Sequence, residues 1–332
     1  MNVSLKVTEK LDGKIVVKDN APALAGAELT TNRLDSAGKM TFTLIENSGI
    51  AITEGSLVYC TVDGEDFFKG YVFSAERDRK KQVKYTAYDQ LRYLKAKASY
   101  TFVAMSLEDI IRQIASDFKL TVGDLATTGY KFPSLIKENE SCLDIIFSAL
   151  METTIQTGKI FIFYDDMGKL TLKEAKSLIW DKIIGDASLL SDYSYKRDID
   201  SQTYNRIKLA RPNESTGRAD TYMYEDSSTQ AQWGLLQYYA VVDEAMNAAQ
   251  IEEMCKLYLK YYNKVWQTLK LKNIIGYTGI RAGWVIPVRI SDIDATATQR
   301  FFIAEKVSHK LNGNTHTMDI EIKNFNEVAT WS

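Results

Sequence analysis

One pattern of alternating residues and spaced glycines occurs twice in this chain of 332 residues. The shared features are an alternating five-residue segment and two later glycines: residues 40–44, Gly49 and Gly55 in the first copy, and residues 267–271, Gly276 and Gly283 in the second. The copies are offset by about 227 residues, with a slip of one. Alternation with a period of two is typical of half-buried β-strands. The repeat therefore predicts two related β units, which suit a quasi-symmetric ring and favour assembly over catalysis.

The match extends beyond the glycines. Residues 68–72 resemble residues 301–303, and the alternating residues 83–88 resemble residues 316–322. Several short strands at close spacing are typical of a barrel or a sandwich. The first hundred residues are therefore predicted to form a β-barrel or a β-sandwich, and strands are predicted to return after about residue 190.

The middle of the chain carries helix signals instead. Ser106 and Ser141 each stand before an apolar-patterned segment, with an aspartate three residues later, which is typical of a helix start. A hairpin is predicted to follow around residues 165–168. The fold class is therefore predicted to be α+β and β-rich. The predicted domains are a first β-barrel at 1–97, a small α+β domain of two helices and a hairpin at 98–180, and a second β-barrel at 181–332 with a hairpin and long-helix insertion at about 212–265.

The composition of the chain argues against several classes of function. The formal net charge of −2 provides no basic field for nucleic acid or anionic lipid. Cys60, Cys142 and Cys255 lie far apart, so buried free thiols in a reducing cytoplasm are predicted rather than disulfides. No apolar segment has the character of a signal core or the length of a membrane span. We therefore expect no membrane insertion and no export by a signal of the chain's own.

Catalytic motifs are absent from the sequence, which has no phosphate-binding loop, dinucleotide-binding glycine motif or nucleophile elbow. The only histidines, His309 and His316, could approach each other across a hairpin and bind a metal with Asp319 or Glu321. Two scattered histidines lack the spacing of a metal site, so we predict no catalytic residue, no metal and no cofactor. The 43 acidic residues neither indicate nor exclude a paired-carboxylate glycosidase.

A carbohydrate-binding alternative rests on residues 106–125, which loosely resemble a LysM module. That module needs a strand immediately before its first helix and a second short helix after it. The segment 129–133 fits this requirement poorly. A plain packed helix is therefore the preferred interpretation, with contact to wall glycan as the alternative.

Aromatic residues are the main candidates for a contact surface, because tyrosine combines a large apolar area with a polar tip. The candidate interface residues come from the segment 222–262 and from the alternating strands at 56–62 and 283–290: Tyr59, Thr61, Tyr222, Tyr224, Trp233, Tyr238, Tyr239 and Trp284. These two strands are expected to continue a sheet into a neighbouring copy of the chain. Packing of the long helix onto the barrel would explain about half of the clustered tyrosines equally well.

Four short blocks resemble a known family: residues 87–95, 204–209, 233–238 and 316–319. In their order and spacing they resemble the baseplate hub proteins of contractile phage tails and tailocins, of the PBSX XkdQ type and related to late control protein D. The resemblance covers most of the chain. It implies a homotrimer in which each subunit carries two tail-tube-like β-barrels, so that six barrels join a sixfold tail tube to a threefold central spike.

The resemblance also implies partners and a location. The expected partners are further copies of the chain, the tail tube protein ring, the central spike protein and the baseplate wedge proteins, with the tape measure protein as a further candidate. The expected location is the baseplate of a virion or phage-tail-like particle, after synthesis in the bacterial cytoplasm without a signal peptide. The family's functional surface is interfacial, so no catalytic residue is carried over. A cell-wall glycan-binding module and a peptidoglycan hydrolase are the alternative functions.

Overall fold

The computed structural model describes residues 1–11, 14–45, 52–185, 192–200, 202–213, 217–244, 246–291 and 300–323. The chain is mostly β-structure with a smaller helical part, which confirms the predicted β-rich α+β class. Its described strands form one sheet of 13 strands, one of two and two of three. Gly49 lies outside the described residues, so its predicted match to Gly276 is not tested.

The first β unit contains seven strands: β1 (Val3–Leu11), β2 (Lys14–Asp19), β3 (Leu24–Asn32), β4 (Lys39–Ile45), β5 (Leu57–Val62), β6 (Glu65–Arg77) and β7 (Gln82–Tyr88). They pair in the order β3-β4-β7-β6-β5-β1-β2. Burial alternates along β4 and β5, as their period-two sequences predict. The inward side chains, among them Met40, Phe42 and Tyr85, form one apolar core.

The central segment combines helices with three strand pairings: β8 (Lys97–Ser106), α1 (Leu107–Asp117), β9 (Val122–Leu125), β10 (Lys131–Ser141), α2 (Cys142–Thr157), β11 (Phe161–Asp165) and β12 (Leu170–Glu174). The Ser106 and Ser141 side chains accept hydrogen bonds from the backbone N–H groups of Asp109 and Asp144, which confirms both predicted helix starts. The antiparallel pair β8–β10 has no counterpart in the predicted two helices and hairpin. α1 is followed by β9 rather than by the short helix that a LysM module requires.

The second β unit surrounds an insertion. Its strands are β13 (Ile184–Gly185) and β14 (Asp192–Asp198), followed after the insertion by β18 (Trp266–Ile275), β19 (Val285–Arg289), β20 (Arg300–Asn312) and β21 (Thr315–Lys323). The insertion comprises β15 (Arg206–Asn213), β16 (Arg218–Glu225), α3 (Ser227–Trp233), β17 (Gln237–Val241) and α4 (Ala248–Tyr262). β15 pairs with β16 and β17 in a separate sheet. The sheet of the insertion therefore begins at Arg206, before the boundary predicted near residue 212.

The two β units share one strand order. In the first unit the order β3-β4-β7-β6-β5 is antiparallel at every step, and in the second β14-β18-β21-β20-β19 is antiparallel at every step. Each unit also carries a register shift at the same place, between Val72 and Ser74 in β6 and between Ala304 and Lys306 in β20. The predicted duplication is therefore present in the strand order and in its irregularity, but the structure matches Met40 to Leu269 rather than to Gln267.

Hydrogen bonds repeat with the strands. The N–H of Gly55 donates to the carbonyl of Val72 over 2.7 Å, and the N–H of Gly283 donates to the carbonyl of Ala304 over 2.7 Å. Both glycines have positive φ, a conformation that L-residues adopt only with strain. The predicted glycine match therefore reflects one turn geometry used twice. Pairing among the described strands runs as an open path from β14 to β2, rather than as two closed rings.

Candidate assembly interface

β3 and β20 join the two β units into one continuous sheet. The second half of β20 pairs antiparallel with β3, and Ser308 lies opposite Thr30. The hydroxyl oxygens of these two residues are 3.0 Å apart. Beside them, the Arg33 guanidinium pairs with the Glu305 carboxylate at 2.7 Å, with side chains only 8% and 13% exposed. Because buried charges are costly unless they are paired, this contact fixes how one unit docks on the other.

His309 and His316 approach each other across the β20–β21 hairpin, as predicted. The Nε2–H of His309 donates to the Ile280 carbonyl at 2.7 Å, which leaves Nδ1 to accept from the Nε2–H of His316 at 3.0 Å. Burial lowers the pKa of His309 to about 3 and also lowers the pKa of His316. Both rings are therefore neutral at pH 7, and their hydrogen-bonded nitrogens form a structural contact.

The acidic residues that could have completed a metal site here bind lysines instead. Asp319 accepts from Lys310 Nζ at 2.8 Å, and Glu321 pairs with Lys270 Nζ at 3.0 Å. Among the described residues, no group of three or more His, Cys, Asp or Glu is placed to hold a metal ion. The Phe67 ring meets both histidine rings edge-on, at 5.3 and 5.8 Å, so the histidine pair packs the second unit onto the first.

Among the strand edges that have no strand partner in the described residues are those of β14 and of the end of β6. β14 pairs with β18 and ends the strand order of the large sheet. β6 pairs with β5 as far as Tyr71, and the Val72 backbone bonds to Gly55 and Ser56 just before β5. Beyond Val72, β6 pairs with β7 alone. Side chains along both edges are exposed, including Glu76 and Lys196, of which Lys196 is 68% exposed. Because an open edge can template pairing with another chain, these edges are candidate assembly contacts.

Tyr59 and Thr61 lie on the outer face of β5, while Cys60 and Val62 point into the core. The Tyr59 hydroxyl donates to the Asp66 carboxylate. β5 pairs with β1 and β6, and β19 pairs with β13 and β20. The expectation that these strands continue a sheet into a neighbour is therefore wrong, because strands of the same chain already flank both edges. Side-chain contacts through Tyr59 and Thr61 stay a prediction.

Three of the predicted interface tyrosines pack around α4 inside the chain. Tyr238 stacks on Tyr262 with ring centroids 5.4 Å apart, and Tyr222 and Tyr224 belong to the same apolar cluster. Burial raises the pKa of Tyr238. Tyr258 links this cluster to the central segment, because its hydroxyl donates to a Glu152 carboxylate oxygen. Packing of the long helix therefore accounts for these tyrosines, which the sequence pattern alone left open.

Tyr239 lies on the opposite face of the same sheet and is 55% exposed. Val241, on the same strand, and Met223, on β16, are also exposed on this sheet. Trp233 is half-buried at the end of α3. Trp284 packs edge-on against Tyr164 at 5.3 Å, which ties the start of β19 to the central segment. Of the eight candidate residues, Tyr239 is therefore the most available to a partner.

A buried acidic pair that the sequence analysis missed lies where both β units meet the central segment. Burial raises the pKa of Asp89, and the nearby Asp165 carboxylate raises it further, while the Arg281 guanidinium opposes the rise. Burial also raises the pKa of Asp165, against the N–H that Gly168 donates to its side chain at 2.7 Å. Arg281 donates to the Asp165 carbonyl at 2.9 Å. Asp89 lies in the block 87–95 and Asp165 in the predicted turn at 165–168, but no local sequence signal indicates that these two segments meet.

The three cysteines are buried free thiols, as predicted. Burial raises the pKa of the Cys60 thiol to about 12 and that of Cys255 to about 11, so neither forms a thiolate nucleophile at neutral pH. None of the helices in the described part of the chain has both the length and the hydropathy needed to cross a membrane.

Comparisons with known proteins agree on one family. The model of the YqbQ-like family matches residues 27–323. Two proteins of Bacillus subtilis (strain 168) are each 31% identical to this chain. YqbQ matches over 85% of both chains, and the phage-like element PBSX protein XkdQ matches over 84% of both.

A solved structure shows the same fold over nearly the whole length. The tail protein from Neisseria meningitidis MC58 superposes with a TM-score of 0.69 at 13% identity, covering 99% of this chain and 98% of that one. At that identity the likeness establishes the fold alone. XkdQ is named as a protein of a phage-like element, and the Neisseria meningitidis protein is named as a tail protein.

Proposed function

Because this chain belongs to the YqbQ-like family, we propose that it is a structural component of a phage baseplate and, more specifically, the hub of a contractile tail. It is a structural protein and not an enzyme. Three copies form a ring in which six similar β units, each curved into a barrel-like wall, surround a central opening. The ring adapts a sixfold tail tube to a threefold spike.

The duplicated strand order is the observation that carries this proposal. A homotrimer of a chain with two equivalent units presents six similar surfaces on one face while keeping threefold symmetry. The in-chain joint between β3 and β20 supports the same idea, since it shows that two units can dock edge to edge. A sixfold ring and a threefold spike can then each meet a surface of matching symmetry.

The proposed partners follow from this geometry. They are further copies of the chain, the tail tube ring on one face, the central spike on the other, and wedge proteins at the rim, with the tape measure protein as a further candidate. The proposed location is the baseplate of a virion or phage-tail-like particle. The exposed outer face around Tyr239 is the surface that we assign to a partner outside the ring.

Negative-stain electron microscopy of the purified full-length chain tests the proposal. We expect ring-shaped particles with threefold symmetry and six similar lobes around an opening. Particles of one-chain size, both alone and with tube and spike proteins present, would contradict it.

Incubation with purified peptidoglycan separates the hub from the two alternative functions. We expect neither retention on the polymer nor release of soluble fragments. Release that disappears on a single carboxylate substitution would identify a hydrolase, and specific retention without release would identify a glycan-binding module.

A further inference from the structure

We propose that β14 of one copy pairs antiparallel with the part of β6 beyond Val72 in the next copy, in the register of the in-chain joint between β3 and β20. This inference rests on the proposed homotrimer and names the strands that close it. Both edges lack a strand partner among the described residues, and both carry exposed side chains. The occupant that we assign to each edge is a second copy of this chain, because the chain already joins its two units through β3 and β20.

The equivalence of β14 and β3 supplies the first half of the argument. β3 flanks β4 in the first unit, with Thr30 opposite Lys39. β14 flanks β18 in the second unit, with Lys196 opposite Thr268. Lys39 lies opposite a residue of β7, and Thr268 lies opposite the residue of β21 that has the same place in the shared strand order. Lys39 and Thr268 therefore occupy matching positions. Lys196 therefore occupies the position in the second unit that Thr30 occupies in the first.

The equivalence of β6 and β20 supplies the second half. Tyr71 lies opposite Leu57, the first residue of β5, and Ile303 lies opposite Val285, the first residue of β19. Both strands then pass through the same register shift and continue along β7 or β21. Glu76 lies five residues after Tyr71 in β6, and Ser308 lies five residues after Ile303 in β20. Glu76 therefore occupies the position in the first unit that Ser308 occupies in the second.

The two equivalent units provide two places where this strand contact could form. Within one chain, the contact is made at only one of these two places among the described strands. Thr30 and Ser308 face each other in the in-chain joint, with hydroxyl oxygens 3.0 Å apart. The matching pair, Lys196 and Glu76, is not formed within the chain, because β14 and β6 do not pair with each other among the described strands. Applying the same joint between copies links the second unit of one chain to the first unit of the next. Such a head-to-tail contact is the kind that closes rings.

The side chains at the predicted contact are complementary. Lys196 would face Glu76 of the neighbour, and opposite charges directly across two strands are stabilising. The in-chain ion pair of Arg33 with Glu305 would be replaced by Ile199 facing Phe73, since these are the matching positions. Phe73 and Ile199 are both only half-buried within one chain. A charge pair and an apolar pair thus both favour this register.

Cross-strand disulfides test the register in the full-length chain. Residues directly opposite each other in an antiparallel pair are close enough for a disulfide, and the three native cysteines are buried and do not compete. The test variant carries Glu76→Cys with Lys196→Cys. The matched control carries Glu76→Cys with Arg197→Cys, which moves one thiol to the other face of β14. After mild oxidation, non-reducing electrophoresis should show at least about tenfold more intermolecular cross-link in the test variant than in the control.

Each other outcome overturns a distinct claim. β2 is the other end of the large sheet, so a third variant carries Lys196→Cys with Val17→Cys. Preferential cross-linking to position 17, or equal cross-linking in test and control, would overturn the proposed register. An oligomer by light scattering without the 76–196 cross-link would also overturn it and leave the ring intact. A strictly monomeric protein that forms no cross-link would contradict the proposed hub itself.

Discussion

Gly55 and Gly283 have the same left-handed backbone conformation, with φ of 83° and 93°, at equivalent places in the two β units. Their surroundings differ. A Cβ atom on Gly283 would lie 2.2 Å from Cγ2 of Ile162 in the central segment, whereas one on Gly55 would meet no heavy atom of the described residues within 4 Å. One turn geometry is thus used in two environments, and only at Gly283 does the missing side chain make room for another part of the chain.

Alanine substitutions should separate backbone strain from packing at these two turns. Gly55→Ala should cost about 1 kcal/mol, because it forces an L-residue into the left-handed region. Gly283→Ala adds a clash with Ile162 and should cost roughly 3 kcal/mol or more. Chemical denaturation followed by circular dichroism measures both losses. Equal losses would show that Gly283 is not packed as described.

Acid should destabilise the protein through His309. Its folded-state pKa of about 3 lies below the ordinary value of 6.5, so the unfolded chain binds more protons between these values. The stabilising contribution is therefore present above pH 6.5 and is lost as the pH falls towards 3. Between about pH 7 and pH 5, the variant His309→Gln should lose less unfolding free energy than the natural chain, by on the order of 2 kcal/mol. Identical slopes in the two proteins would contradict this prediction.

The buried carboxyl of Asp165 should change the unfolding free energy with pH in the opposite direction to His309. Its pKa is raised by burial, so its stabilising contribution is present below the ordinary value of 3.8 and is lost as the pH rises through the folded-state pKa. Asp165→Asn retains an oxygen for the Gly168 N–H and removes a buried charge near Asp89. We expect the unfolding free energy at pH 7 to rise by on the order of 1 kcal/mol. A loss of stability in thermal unfolding would mean that Arg281 requires the carboxylate.

Charge reversal should weaken and then restore the proposed contact between copies. Glu76→Lys would place two lysines opposite each other and should weaken association by about tenfold, as would Lys196→Glu. The double variant pairs the charges again and should recover most of the association. Sedimentation over a range of concentrations measures all three. Single variants that assemble as well as the natural chain would remove this pair from the interface.

Local signals suffice to predict the helices of the central segment. Ser106 and Ser141 cap α1 and α2 through bonds that span three residues, so a short stretch of sequence contains the whole determinant. The two β units are predictable for a related reason, since alternation and the glycines of a turn are encoded within each strand and loop. These local signals do not indicate which strands lie next to each other.

Strand partners could not be predicted because they depend on distant residues. Thr30 and Ser308 touch across a separation of 278 residues, and neither strand's own alternation identifies the other. β15 alternates like the strands of the second unit but pairs within the insertion. For the same reason β5 and β19 looked like open edges, whereas among the described strands β14 and the second half of β6 have an open edge. The candidate site is therefore defined by topology rather than by a motif.

The molar mass of the full-length chain in solution tests the ring most directly. Light scattering after size-exclusion chromatography should give about three times the 37.6 kDa of one chain, because each copy offers one open β14 edge and one open β6 edge. The same trimeric mass should persist when spike and tube proteins are added in limiting amounts. A mass of 37.6 kDa at every concentration, and no larger assembly of this chain with those partners present, would contradict the account.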